Sequence, residues 1–335
     1  MPAQRTHEWK LVDIGAISRF RALSIVNAET IWLASMEGSV HRSADGGASW
    51  ETRWPLGVEA DLELRAIHAF DEQSALVLAP GPGTAARIFR TADGGSTWAL
   101  VYAAESPDTY LDGLAFTDAV NGFAVGDPID GRFTLLATHD GGQSWSPASP
   151  DASPTAIAGE GAYAASGSCI VSVQGSVWIG TGGGKHARVL RLPPQEPAAA
   201  FGWQCAETGI CSAPMAGIFG LDFANEQHGI AVGGDHGDQL GDGATLALSD
   251  DGGKSWRVLG GEAPRGYRSA AVRLGIHPST LITVGPHGSE ISLDEGVTWA
   301  ALEFAFNTVR AAADGTCWAA GDDGRVARLV SSASH

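Results

Sequence analysis

The chain is punctuated by short, nearly continuous apolar runs closed by glycine, aspartate or proline. They read IWLAS (31–35), SALVLAP (74–80), NGFAVGD (121–127), SVWIGTG (176–182), HGIAVGGD (228–235), LITVGP (281–286) and TCWAAGDD (316–323). Runs of this length between turn residues predict buried β-strands. An apolar segment precedes each one: RALSIV, LRAIHAF, LDGLAFT, AYAASGSCIVSV, IFGLDFA, RSAAVRLG and VRAAAD. A third segment follows, in which hydrophobic and polar residues tend to alternate: SVHRS, ARIFRT, FTLLATH, ARVLRL, ATLALSD, SEISLD and VARLVS. A fourth closes most units, as in WETRW, WALVY, WSPAS, WRVLG and WAALE. The predicted unit is therefore four strands, A to D, joined by turns.

A motif fixes the period of that unit. SADGGASW (43–50), TADGGSTW (91–98), THDGGQSW (138–145), SDDGGKSW (249–256) and SLDEGVTW (292–299) share one template, S/T-x-D-x-G-x-S/T-W. Successive copies lie about 43–48 residues apart, the length of a β-propeller blade. The gap from Thr138 to Ser249 is about twice the period, so it hides one decayed blade, read here around VWIGTGGGKHARVLRL (177–192). The last unit lacks strand D, because the chain ends. HEWKLV (7–12) precedes the first strand A and has the right length to complete the last blade and close the ring. The expectation is an all-β, seven-bladed β-propeller, one domain over residues 1–335. Six or eight blades would follow from a different reading of residues 147–214.

Composition narrows the function. A formal net charge of −17 opposes contact with phosphate, so no nucleic-acid partner is expected. No apolar run reaches membrane-spanning length, which predicts no membrane insertion. The start, MPAQRTHEWK, lacks the charged head and apolar core of a secretory signal. The expected location is cytoplasmic, or exported with the signal already absent from this chain. Cys205 and Cys211 are close enough in sequence to pair in an oxidising compartment, and two free thiols is the alternative. Cys169 and Cys317 fall inside strands.

The repeated template is that of Asp-box (BNR) repeats. The chain most resembles the photosystem II stability/assembly-factor family and its bacterial relatives. The resemblance rests on LAFTDAVNGFAVGD (114–127), LDFANEQHGIAVGG (221–234), AASGSCI (164–170) and VWIGTGG (177–183). It implies a platform that holds a protein client through one face, with an arginine-rich patch. In the box itself the carboxylate should accept backbone N–H groups in a tight turn whose glycines allow φ > 0. Asp45, Asp93, Asp140, Asp251 and Asp294 are therefore read as structural, and each box tryptophan as packing against the neighbouring blade.

Propeller topology puts the D–A and B–C connections on one face, around the mouth of the central channel. The repeats put the expected start of strand A at Arg21, Arg65, Asp112, Ser166, Phe219, Arg268 and Arg310 in blades one to seven. The arginines fall on adjacent blades and should form one basic arc suited to a carboxylate, phosphate or sulfate. The competing reading is that each arginine pairs with a nearby acid and ties blades together. Arg19 and Arg273 are out of register. The B–C loops over the same face carry Glu37, Asp127, Asp130, Asp235, His236, Asp238, His287, Asp322 and Asp323. Asp127 and Asp235 are candidates for turn capping or acid–base work. His236 and His287 are the histidines placed for proton transfer. No metal-ligand spacing appears, and neither metal nor cofactor is implied.

Three functions compete. The first is a non-enzymatic binding or assembly platform for a protein client or small anionic ligand, with Arg21, Arg65, Arg268, Arg310 and Asp112 at the binding face. The second is a lyase or isomerase acting on a carboxylate-bearing small molecule or sugar, with an arginine clamp and His236, His287, Asp127 or Asp235 moving protons. The third is a sialidase-like hydrolase, which needs a tyrosine nucleophile from among Tyr102, Tyr110, Tyr163 and Tyr267 and three arginines on the substrate carboxylate.

Overall fold

The computed structural model describes residues 5–55, 62–194, 202–261, 263–275, 277 and 279–333. They form seven four-stranded antiparallel sheets. Each strand A packs beside the strand A of the next blade, and the last returns to the first, so the ring is closed. The seven inner strands are Phe20–Ile25, Ala66–Ala69, Leu111–Phe116, Ile170–Val173, Ala216–Phe223, Ala270–Arg273 and Thr308–Ala311. The apolar runs are the B strands, and most of their residues are fully buried between blades.

The N-terminal strand, Arg5–Val12, is strand D of blade seven. It pairs antiparallel with Val326–Ala333, from Arg5 opposite Ala333 to Val12 opposite Val326. The two ends of the chain thus share one sheet. The decayed unit is blade four: Ile170–Val173, Ser176–Gly180, Arg188–Leu192 and Gln204–Glu207. Its outer strand begins just past Trp203, and residues 195–201 of the Pro- and Ala-rich stretch lie outside the described residues. Cys169, Cys205, Cys211 and Cys317 are all free thiols, with Cys205 exposed and Cys169 and Cys317 buried.

The repeated turn builds the same hydrogen-bond cage five times. In blade one Asp45 Oδ1 accepts from the Ser49 N–H (2.8 Å) and the Ser43 hydroxyl (2.9 Å), while Oδ2 accepts from the Ser49 hydroxyl (2.6 Å). Asp93, Asp140, Asp251 and Asp294 are held in the same way. These bonds favour the ionised form, led in Asp140 by the Ser144 hydroxyl, which takes its pKa down to about 2. The turns lie between strands C and D, on the face away from the D–A loops.

The second glycine of the turn joins neighbouring blades. Gly47 has φ +88°, and a Cβ there would lie 2.4 Å from Cη2 of Trp318, the buried strand-B tryptophan of blade seven. Gly142 meets Leu76, and Gly253 meets Trp178, in the same manner. Gly47→Ala must therefore displace a fully buried indole and strain the backbone. It should lower stability by about 1–3 kcal/mol, read as a shift of the urea midpoint at unchanged slope. An unshifted midpoint would show that the blade contact tolerates a methyl group.

Candidate functional site

The site begins with the register of the inner strands. In blades one, three and five a bulge at Arg21, Asp112 and Phe219 takes one residue out of the ladder. In blade two the N–H of Arg65 donates to Leu78 O (2.9 Å), and Ala66 faces Leu78. The same pairing marks Ser269 in blade six, whose N–H donates to Val284 O (2.9 Å). In blade seven it marks Asn307, whose N–H donates to Ala320 O (2.8 Å). Arg21, Arg65, Asp112, Phe219, Ser269 and Asn307 all line one cavity of about 940 Å3 at the channel mouth.

This register moves two of the four expected arginines out of the arc. Arg268 occupies the position of Phe20, Leu64, Leu111 and Ile218, whose N–H groups all bond to the preceding blade; its own N–H donates to Gly233 O (2.8 Å). Its side chain is buried between blades and forks onto Glu290, Nε–Oε2 2.9 Å and Nη2–Oε1 2.5 Å. Arg268 thus pairs with a nearby acid, as the competing reading expects, but Glu290 is on strand C of the same blade, so the pair braces blade six and does not tie two blades. Arg310 lies three residues beyond Asn307, deeper along the axis, where its Nη2 donates to Gly167 O (2.9 Å). Near it lies buried Asp222, whose carboxyl burial pushes up to about 6, against the Arg273 N–H bond (2.7 Å) and the Arg310 charge. Ser166 is likewise off the ring. Arg19 pairs with Glu37 (2.7 Å) and Arg273 with Glu295 (2.9 Å).

The channel is plugged. The segment of residues 163–168, ahead of strand A in blade four, reaches blades on the other side of the axis. Ala164 O accepts from Arg65 Nη1 (3.2 Å) in blade two. The Ser166 hydroxyl donates to Ser269 O (2.8 Å) in blade six, and Ser166 O accepts from the Thr308 hydroxyl (3.2 Å) in blade seven. Gly167 O takes Arg310. The cavity therefore has a floor. The wall above it, residues 157–163, is fixed by Glu160, which is buried. Glu160 accepts from Arg188 Nε (2.8 Å) and Nη2 (2.5 Å), from the Thr181 hydroxyl (2.6 Å) and from the Ile157 N–H (2.8 Å).

Charge is laid out unevenly round the cavity. Arg21 reaches Asp322 only at 3.6 Å and turns Nε to the Met36 sulfur (3.3 Å). Burial, and secondarily Arg65 near by, lowers its pKa, against the charge of Asp322. Arg65 is forked onto Glu63 (3.0 and 2.6 Å). Next around the ring, Asp112 is fully buried and its Oδ2 has no hydrogen-bond partner. Burial, then the charge of Asp127, pushes its carboxyl well above the usual range. Asp127 also lines the cavity and is raised by burial; its Oδ1 accepts a long bond from the Ala162 N–H (3.3 Å). The far wall is aromatic. Tyr163 stacks on Phe219 at 4.0 Å, Tyr267 meets Phe219 edge-on at 4.7 Å, and His236 meets Tyr267 at 5.3 Å. Burial pushes Tyr163 up to about 12.

The remaining candidates separate. His236 lines the cavity at its rim. His287 is exposed and does not line it; its Nε2 sits 2.9 Å from Gln239 Oε1. Asp235 caps its own loop, accepting from the Gly237 N–H (2.7 Å), and faces a separate hollow of about 180 Å3. Tyr110, Tyr163 and Tyr267 line the main cavity, and Tyr102 does not. The aromatic wall was not foreseen. A signal existed for two of the cavity's tyrosines, because Tyr110 and Tyr267 each stand two residues before a ring position, Asp112 and Ser269. Among the described residues no group of three or more His, Cys, Asp or Glu is placed to hold a metal ion, and no helix is long and apolar enough to cross a membrane.

No family model matches the chain, and no curated protein matches it. Solved structures do match its fold. YCF48 bound to D1 peptide is 14% identical with a TM-score of 0.68, covering 98% of this chain and 99% of that one. YCF48 from Cyanidioschyzon merolae is 15% identical with a TM-score of 0.65, covering 96% and 98%. The Neurospora crassa Pan2 WD40 domain is 12% identical with a TM-score of 0.63, covering 95% and 90%. What this chain is similar to, over nearly its whole length, is a set of β-propellers, and at these identities the likeness is one of fold.

Proposed function

We propose that the chain is an Asp-box propeller akin to the photosystem II assembly factors, and that it serves as a binding platform. It seats an acidic segment of a protein client at the channel mouth, the anionic group resting on Arg21 and Arg65. The observation that carries this reading is the floored cavity of about 940 Å3 with both guanidiniums on its wall, their side chains 22% and 19% exposed. Guanidinium donors at the edge of a concave site suit a carboxylate, which at Arg65 must displace or share the fork with Glu63. Elsewhere the net charge of −17 repels an acidic client, which concentrates its binding here. Exposed Ile17, Met215 and Leu240 stand on D–A and B–C loops of the same face, which supports a macromolecular occupant over a small one. The solved YCF48 with a D1 peptide is a propeller holding a peptide, and that supports the same use of this fold.

A second reading, a proton-transferring enzyme on a small carboxylate, is favoured by one observation. Asp127, raised by burial, shares the cavity with His236. Occupant size separates the two readings.

The test is an array of acidic and basic peptides probed with the full chain and with an Arg21→Ala, Arg65→Ala variant. Acidic peptides should be retained by the native protein and weakened at least about tenfold in the variant. Equal capture by both proteins, or equal capture of basic peptides, would overturn the platform reading.

A further inference from the structure

We propose that the blade-three wall of this cavity binds a primary ammonium, so that the occupant is dipolar, its anion on Arg21 and Arg65 and its cation between Asp112 and Asp127. The inference rests on the cavity being the docking site and names the chemistry of its second half.

Asp112 is 1% exposed, lines the cavity, and leaves Oδ2 with no hydrogen-bond partner. A buried carboxyl oxygen without a donor carries an uncompensated desolvation cost, and a donor from the occupant would remove it once the wall yields enough to uncover Oδ2, which is closed to solvent here. Its other contact is the Ala164 N–H, supplied by the plug. Asp127, whose N–H donates to Tyr110 O (2.9 Å) two residues before Asp112, stands close enough for its charge to raise the cost of ionising Asp112, and the one bond its carboxyl takes from the protein is the long one from Ala162. Two carboxylates in a common wall are stable as a charged pair only with a cation between them. The ion pairs of this region go elsewhere, Arg21 to Asp322 and Arg65 to Glu63.

The surroundings match a cation as well. Tyr110, Tyr163, Phe219 and Tyr267 line the same cavity, and ring faces attract an ammonium at close range. A compact ammonium suits this wall better than a guanidinium, because the vacant acceptor is one oxygen and not a planar pair. Around the ring the order is arginine, arginine, aspartate, then aromatic residues, so the positive and negative sides are adjacent. A segment carrying an acidic and a lysine-like group side by side would satisfy both.

The experiment uses the full chain and four probes, glutarate, butylamine, the dipeptide Glu-Lys and calcium chloride, measured by calorimetry. Glu-Lys should bind at least about tenfold tighter than glutarate, since it gains a buried charge-assisted bond. In Asp112→Asn, Asp127→Asn that advantage should vanish while glutarate binding persists. In Arg21→Ala, Arg65→Ala glutarate binding should vanish while butylamine binding persists. If the double asparagine variant loses its cooperative melt, Asp127→Asn alone must still reduce the advantage of Glu-Lys. Equal affinity for Glu-Lys and glutarate, or an advantage untouched by the asparagines, overturns the ammonium site and leaves the platform reading standing. Binding of calcium chloride matching that of butylamine also overturns it, in favour of a metal ion. Failure of every probe sinks both readings.

Discussion

Trp178→Ala should lower stability by about 3–5 kcal/mol, among the largest losses a single truncation can produce. The indole is fully buried in strand B of blade four. It stacks on Phe223 of blade five at 3.9 Å, and its Nε1–H donates to Gly252 O (2.8 Å) in the repeated turn of blade five. Truncation opens a cavity between two sheets, removes an aromatic pair and orphans a turn carbonyl. Trp178→Phe keeps most of the area and loses the hydrogen bond, so it should cost well under half as much. The check is a urea titration of the three proteins. A midpoint for Trp178→Ala within error of the native one would mean that blades four and five are not coupled through this residue.

Glu160→Ala should cost a comparable amount, about 3–5 kcal/mol, for a different reason. The carboxylate has a fully buried side chain, while Arg188 keeps 12% of its own exposed. Removing the acid leaves the guanidinium mostly buried beside Thr181 and Thr155 with no counter-charge, and releases the Ile157 N–H. Because those bonds position the wall of residues 157–163, ligand binding at the mouth should weaken together with stability. A Glu160→Leu, Arg188→Met pair should recover much of the stability, since a buried pair replaced by apolar groups is often near neutral. If the double variant is as unstable as Glu160→Ala, the loss lies in packing and not in the stranded charge.

Much of the ring was legible in the chain. The apolar B runs, the five repeated turns and the HEWKLV segment each state a local requirement that only a closed set of blades satisfies, and the structure meets all of them. Blade four was legible despite its lost motif, because VWIG still has the pattern of a buried strand. The mouth was harder to read. Arg268 and Arg310 look equivalent to Arg21 and Arg65 because D–A connections differ in length, and an arginine draws the eye as an anchor. A partial guide is the residue after the ring position. It is Ala22, Ala66, Gly113, Gly220, Ala270 and Thr308, small wherever inner strands crowd near the axis. At Gly113 and Gly220 a Cβ would meet the next blade within 3.0 Å. That constraint alone does not separate the candidates, since Arg268 and Arg310 are also followed by small residues, Ser269 and Ala311; only the ladder register puts Ser269 and Asn307 in the ring. The crossing segment had no such signature, since AASGS states no local preference and is held by groups from blades two, six and seven.

That crossing has a kinetic consequence. With Ala164, Ser166 and Gly167 tied across the axis, the annulus becomes a cup. Nothing can be threaded through it, and water displaced on loading must escape past the incoming molecule. Arrival and departure share one path, so anything that crowds the lip, a partner protein included, would slow both together and leave the equilibrium nearly untouched.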